Sequence, residues 1–145
     1  MSKKRRSYEA GHSPKFMVVI DDSPECDRAL YFASRRALRI GATVLMLRVI
    51  ETHDRNQQWL GVADIMKAEA HEEANAALDK YATRANGMAG ITPERVVREG
   101  GTADEILGLI EDDEDIAILV LAAFGVLIAV RVLHWGRILD SRALD

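Results

Sequence analysis

Four apolar runs alternate along the chain with segments of helical period. FMVVI, Phe16 to Ile20, is short, rich in β-branched residues and followed by the turn signal DDSPE. Ser23 stands where a helix N-cap belongs, with Pro24 at the first helical position. Leu30, Ala33, Ala37 and Ile40 then recur at helical spacing, so a helix is predicted from Pro24 to about Ile40, ended by Gly41. TVLMLRVI, Thr43 to Ile50, reads as a second buried strand, and the polar stretch ETHDRNQQ as a loop. A long helix follows from about Val62 to Asn86. Ile65, Ala68, Ala74, Ala77, Leu78 and Tyr81 form its predicted inner face, and Gly87 closes it. ERVVREG, Glu94 to Gly100, is a third strand. Thr102 and Glu105 have the spacing of a capping box and open a helix carrying Ile106, Leu107, Leu109 and Ile110. IAILVLA, Ile116 to Ala122, is the fourth strand. Strands apolar on both sides and separated by helices predict an α/β fold: one doubly wound parallel sheet covered on both faces.

The fourth strand belongs to a longer feature. Ile116 to Val130 is an uncharged, wholly non-polar run directly after the acidic EDDED of Glu111 to Asp115. Fifteen residues fall short of the roughly 20 that cross a bilayer as a helix. The run is expected to split into a buried strand four and a separate element from Phe124 to Leu133. Packing as a substitute last element, serving as a partner interface and touching a membrane are its three readings. If unpacked, it exposes Leu127, Ile128, Val130, Val132 and Leu133.

Length and charge narrow the picture. The 145 residues suit one domain, and a chain of that size buries roughly 70% of its unfolded surface without a metal or disulfide staple. The net charge of −4 is uneven. Residues 1–15 carry five basic groups and Glu9, or +4; the rest carries 14 basic and 22 acidic groups, or −8. An acidic body repels phosphate backbones, so no nucleic acid is expected. The KKRR cluster of Lys3 to Arg6 reads as a disordered basic tail over residues 1–14; no apolar stretch follows it, as a secretory signal would need. A single cysteine, Cys26, excludes an internal disulfide and points to a reducing, cytoplasmic setting.

Three places at the carboxyl ends of the strands could hold a ligand. Asp21, Asp22 and Ser23 follow strand one, where a carboxylate can bond a ribose or base amine, or simply cap a helix. Gly100, Gly101 and Thr102 follow strand three, and the same residues serve a capping turn. Ala122, Ala123, Phe124 and Gly125 follow strand four, where a phosphate loop would need Gly and Ser to bare its amides, and an aliphatic run does not. No Gly-x-x-x-x-Gly-Lys-Ser/Thr and no Gly-x-Gly-x-x-Gly occurs. His12, His53, His71 and His134 are scattered, so no metal site is expected. Cys26 has no evident base beside it and reads as inert.

FMVVIDDSPECDRAL, TVLMLRVIE, VVREGGTADEIL and DIAILVLAAFG, in that order, resemble the universal stress protein family over about residues 16–123. The resemblance implies a three-layer sandwich of the adenine nucleotide alpha hydrolase type, strand order 3-2-1-4-5, and a dimer through the last strand. Some members bind ATP. In those, the aspartate after strand one and a residue closing strand two hold the nucleotide, which maps here to Asp21 and Val49. The phosphate loop Gly-x2-Gly-x9-Gly-Ser/Thr falls on Ala122, Gly125, Trp135 and Gly136, so only Gly125 matches. Asp22 replaces a position that is usually small or apolar. Residues 15–123 therefore form the stress-protein domain. Residues 124–145 are an atypical segment of it, lacking a capped fourth helix and a fifth strand, as a shifted reading frame would leave them. The implied function is stress-response binding or regulation through a homodimer or protein partner, without catalysis, cofactor or ATP. The alternatives are an ATP-binding, weakly hydrolysing protein and a membrane-peripheral one that uses the basic tail and apolar end.

Overall fold

A computed structural model describes residues 7–52, 60–123 and 126–131. The Lys3–Arg6 cluster, the loop around His53, Phe124, Gly125 and all positions after Arg131 lie outside the described residues. The elements run β1 (Lys15–Val19), α1 (Cys26–Ile40), β2 (Thr43–Glu51), α2 (Leu60–Ala89), β3 (Glu94–Gly100), α3 (Thr102–Asp112), β4 (Ile116–Ala123) and β5 (Val126–Arg131). They form one five-stranded sheet in the order β3-β2-β1-β4-β5, as expected. The first four strands pair in parallel.

Alternation along the strands builds two cores. Phe16, Val18 and Ile20 of the β1 segment face α1 and α2, where they meet Leu30, Ala33, Leu78 and Tyr81. Met17 and Val19 face the other way and pack with Leu45, Leu47, Ile106 and Ile110 under α3. Each fully buried Leu, Ile or Met side chain contributes about 1.5–3 kcal/mol. Alanines 29, 33 and 37 form the buried stripe of α1, and their small side chains let the helix lie close to the sheet. At the opposite end, Lys15 reaches Asp113 (2.7 Å) and Glu94 (3.1 Å), and His12 Nδ1 lies 2.6 Å from Asp115, tying β1 to the turn before β4.

The last strand departs from the expected absence of a fifth one. Val126–Arg131 pairs with β4 in antiparallel register, from Ala123 opposite Val126 to Ile118 opposite Arg131. Only two residues separate the paired positions. A link that short can only reverse the chain, because a parallel return needs a crossover of a dozen residues or more. The apolar run thus splits as predicted, and its second half becomes a sheet edge on which Val130 is half-exposed.

Helix ends also differ from the sequence reading. α1 starts at Cys26, not Pro24, and Glu25 holds the N-cap position with no side-chain cap bond. α2 passes through Gly87 and ends at Ala89, before the left-handed Gly90 (φ 67°). Ile65 and Ala68 are exposed, not internal, whereas Ala74, Leu78 and Tyr81 are buried. The 30 residues of α2 span about 45 Å at 1.5 Å each, more than the roughly 30 Å of the nine-residue strand before it. His71 and, one turn earlier, the exposed Lys67 reach Glu99 late in β3, whereas Asp64, Ile65 and Met66 before them are exposed. Ile40 of α1 is likewise half-exposed. Among the described residues no helix is long and apolar enough to cross a membrane.

α1 and α2 meet around Tyr81, which is 3% exposed. Burial, followed by the neighbouring Cys26 and Asp27, pushes its hydroxyl up from 10.0 to about 12. Cys26 is itself pushed up, chiefly by burial. Arg84 lies 5.2 Å over the Tyr81 ring and pairs with Asp27 of α1.

Two outcomes follow for stability. Leu30→Ala is expected to cost about 2–5 kcal/mol in urea unfolding, and Ile65→Ala to change it by no more than about 0.5 kcal/mol; equal losses would place Ile65 inside. Tyr81 keeps its proton in the folded state and loses it more readily unfolded, so its contribution is intact below pH 10.0 and is lost as pH rises towards about 12. A spectrophotometric titration should show a tyrosine component at about 12 that is absent in Tyr81→Phe; a native protein without such a component contradicts the burial.

Candidate functional site

In an open α/β sheet the ligand crevice lies beyond the carboxyl ends of the strands, where strand order reverses. Here that point falls between β1 and β4, and the segment Ile20–Ser23 occupies it. The Ile20 amide still donates to Leu47 O (2.8 Å), carrying the sheet one residue past β1. The chain then turns sharply. The Asp21 carboxylate accepts the Ser23 amide (3.0 Å), and Asp22 takes a left-handed conformation, φ 62°. Aspartate tolerates that region better than most residues, at an order of 1 kcal/mol.

Arg48 stabilises this turn. Alternation from Val44 and Met46 puts it on the α1–α2 face of β2. Its guanidinium donates to Ile20 O (3.0 Å) and pairs with the Asp22 carboxylate at 2.7 Å, with the arginine side chain only 16% exposed. One cation thus holds both the backbone end of β1 and the residue in the unusual conformation. Ser23 does not cap α1: its carbonyl accepts the Cys26 amide (3.0 Å), and its buried hydroxyl has no hydrogen-bond partner among the described residues.

Two of the expected site residues come together. Val19 pairs with Leu47, so Asp21 and Val49 each stand two residues beyond that pair, level at the rim. Asp21 is exposed, whereas Val49 is partly buried against the core under α3. Gly125, the third, lies outside the described residues. Arg48 and Asp22 carry the local electrostatics and had no motif to announce Arg48; its position two residues after Met46 in an otherwise apolar strand is the one available signal.

The turn after β3 is built for structure. Gly100 has φ 144°, and a Cβ there would come within 2.6 Å of the Glu105 carboxylate. Thr102 does not complete a capping box. Its hydroxyl donates to Glu51 (2.8 Å) and fastens α3 to the end of β2, while Gly101 takes the N-cap. Asp104 and Glu105 in the first turn of α3 complement its dipole and oppose a phosphate there.

Nucleophile and base chemistry is poorly served. The Cys26 thiol is buried, 4.0 Å from Val19 O, and its raised pKa keeps it protonated. His71 Nε2 lies 2.6 Å from Glu99, which also pairs with Lys67 (3.2 Å); the His71 bond, ahead of Lys67, holds the Glu99 carboxyl below its ordinary value. That cluster joins α2 to β3 away from the rim's β1–β4 crevice. Among the described residues no group of three or more His, Cys, Asp or Glu side chains is arranged to hold a metal.

The fold recurs in solved structures. The universal stress protein UspA from Lactobacillus plantarum is 18% identical, with 78% of this chain and 79% of that one covered at a TM-score of 0.69. A universal stress family protein from Burkholderia pseudomallei is 18% identical over 75% and 80%, TM-score 0.62. A universal stress protein from Archaeoglobus fulgidus in complex with dAMP is 19% identical over 74% and 79%, TM-score 0.58. No curated protein sequence matches the chain. The model of the universal stress protein family matches residues 13–138, which span both the parallel sheet and the antiparallel edge, and the chain belongs to that family.

Proposed function

We propose that this chain is a stress-response binding and regulatory protein that works in the cytoplasm through protein association, with itself or a partner, and not by holding ATP or by catalysis. The observation that carries this reading is the two-residue link between β4 and β5. A triphosphate at the switch point needs a run of free backbone amides followed by a helix N-terminus. Here the chain re-enters the sheet two residues after β4, so among the described residues no loop and helix N-terminus follow β4 to supply such amides. The remainder of the rim agrees. Asp21 is engaged by the Ser23 amide, and Asp22 neutralises Arg48, the cation nearest the crevice. The A. fulgidus relative holds dAMP, and another universal stress protein structure is a complex with cAMP. ATP binding is thus the natural alternative for this chain, and the level placement of Asp21 and Val49 is the one feature that favours it. Residues 15–123 serve as the stress-protein domain, and Val126–Arg131 complete its sheet as an edge instead of extending a pocket.

Calorimetric titration with ATP and magnesium tests the reading. No saturable heat is expected up to about 1 mM nucleotide, an affinity no better than about −4 kcal/mol. A micromolar Kd that disappears in Asp21→Ala would assign the protein to the nucleotide binders.

A further inference from the structure

One side of α1 is unlike the rest of the protein. Arg28, Arg35, Arg36 and Arg39 lie along one stripe of the helix, with Tyr31, Phe32 and Ile40 between them at spacings of three and four. All but Phe32 are exposed, and Phe32 is half-buried. The Arg35 guanidinium stands 6.0 Å from the Tyr31 ring centroid and that of Arg36 6.0 Å from the Phe32 ring. These two ring contacts leave the guanidinium N–H donors without an ion-pair partner among the described residues.

The charge of the stripe is not balanced at home. Elsewhere among the described residues basic side chains find carboxylates: Lys15 with Asp113, Arg48 with Asp22, Lys67 with Glu99, Arg84 with Asp27, Arg95 with Asp79 and Arg98 with Asp112. Lys80 stacks on Tyr81. None of the four α1 arginines has a carboxylate within ion-pair distance among the described residues, and the one acid of the helix, Asp27, is turned to Arg84. Like charges at i and i+4, as in Arg35 and Arg39, cost helix stability. The body beyond residue 15 has a net charge of −8, yet the one acid among the described residues beside the stripe, Asp27, is committed to Arg84.

Apolar surface gathers at the same place. Of the large exposed hydrophobics among the described residues, Tyr31 (52%) and Ile40 (49%) belong to this stripe. Beside them a cavity of about 710 Å³ opens between Phe32, Arg36 and Ile40 of α1 and Ile118 and Ala129 of the last two strands, with Tyr8 on its wall. That volume is in the range that accepts a drug-sized group or a pair of side chains. It lies away from the Asp21 crevice, on the side of α1 that faces the β4–β5 hairpin.

We propose that this stripe is a docking surface for an acidic segment of a partner protein whose apolar side chains enter the cavity. Guanidinium groups pair with carboxylates two bonds at a time, and arginine with tyrosine is the composition of an interface hot spot. The stripe runs from Arg28 to Ile40, about 18 Å of helix, the length of a short peptide segment. A nucleic acid longer than the stripe would meet a body whose net charge beyond residue 15 is −8. The proposal names the partner class for the association reading above and rests on it.

Fluorescence anisotropy on the full chain tests it. The probes are a labelled peptide of repeated Glu-Glu-Leu-Phe, the same length with Ser in place of Leu and Phe, oligothymidylate, and vesicles containing phosphatidylserine. The Glu-Glu-Leu-Phe peptide is expected to bind, and to weaken about tenfold between about 0.05 and 0.3 M salt. The triple reversal Arg35→Glu, Arg36→Glu, Arg39→Glu should remove binding with circular dichroism unchanged. The triple Arg→Gln variant, which introduces no new charge, should weaken it at least about tenfold. Ile40→Ser should weaken it about threefold with the salt slope retained. No saturable binding, equal binding of the serine peptide, tighter binding of oligothymidylate or vesicles, or full affinity in the folded glutamine variant would each overturn the proposal. The ATP titration is a separate readout: a chain that binds nucleotide and also takes the peptide on α1 loses the reading above and keeps this surface.

Discussion

The structure depends on one strand that is buried on both faces. Phe16, Met17 and Val18 of β1 are each 0% exposed, and they alternate between a core under two helices and a core under one. β1 is also flanked by strands on both edges, so its backbone groups are paired on either side. Everything else is placed relative to it: β2 and β3 lie on one edge and β4 and β5 on the other, with α1 and α2 on one face of the sheet and α3 on the opposite face. The reversal of strand order at β1 puts the loop Asp21–Ser23 at the rim, so the candidate crevice is a consequence of which strand lies at the centre.

A second constraint decides what the crevice can do. With two residues between the paired ends of β4 and β5, the chain closes its sheet cheaply and gives up the crossover helix. The fold tolerates this because α3 already covers the core formed by Met17, Leu45 and Ile116, and β1 through β4 hold the register without help from the edge. A ligand loop is more demanding than a core. Burial is non-directional and scales with area, so aliphatic residues can replace one another across an edge. Amides aimed at a phosphate need a particular backbone path, and a hairpin does not supply it.

Much of the scaffold was legible from the sequence because its signals are repeated. Each of β1, β2, β3 and β4 is a run of several apolar or alternating residues, and α1 and α3 carry a clear helical period, so errors at single positions do not alter the order. Ends and single side chains were less legible, for tertiary reasons. Ser23, Pro24 and Glu25 have the local chemistry of a helix start, but Asp21 captures the Ser23 amide and Arg48 captures Asp22, which delays the first turn to Cys26. Thr102 has the spacing of a cap, yet Glu51, fifty-one positions earlier, offers its hydroxyl a partner. Ile65 fits the period of α2, but the helix is longer than the strand it serves, and period alone does not tell how far a sheet extends. The fifth strand was hidden for another reason: a short aliphatic run reads equally as strand or helix until its neighbour is known. At the site, Asp21 and Val49 were found through family pattern and stand level at the rim, while Arg48, which organises that rim, belongs to no pattern.

Charge completes the picture of how labour is divided in the molecule. Cations outside α1 join elements to one another: Lys15 joins β1 to the turn before β4, Arg48 joins β2 to the end of β1, and Arg98 joins β3 to α3. Such pairs are partly exposed, and each adds little stability alone, but together they use up the positive charge near the sheet ends. The arginines of α1 do none of this. Arg35 and Arg36 stand beside aromatic rings on the outer side of a helix whose inner side is largely alanine and leucine, so their charge is not spent on the fold. A helix whose buried stripe is small and tightly seated is a firm platform, and on this protein it is the rim loop, not the platform, whose charges are already satisfied. Surface chemistry left unpaired on a rigid element is available for recognition; chemistry locked in an Asp22–Arg48 pair at the crevice is not. The division favours contact with other proteins across α1 over capture of a small anion at the end of β1.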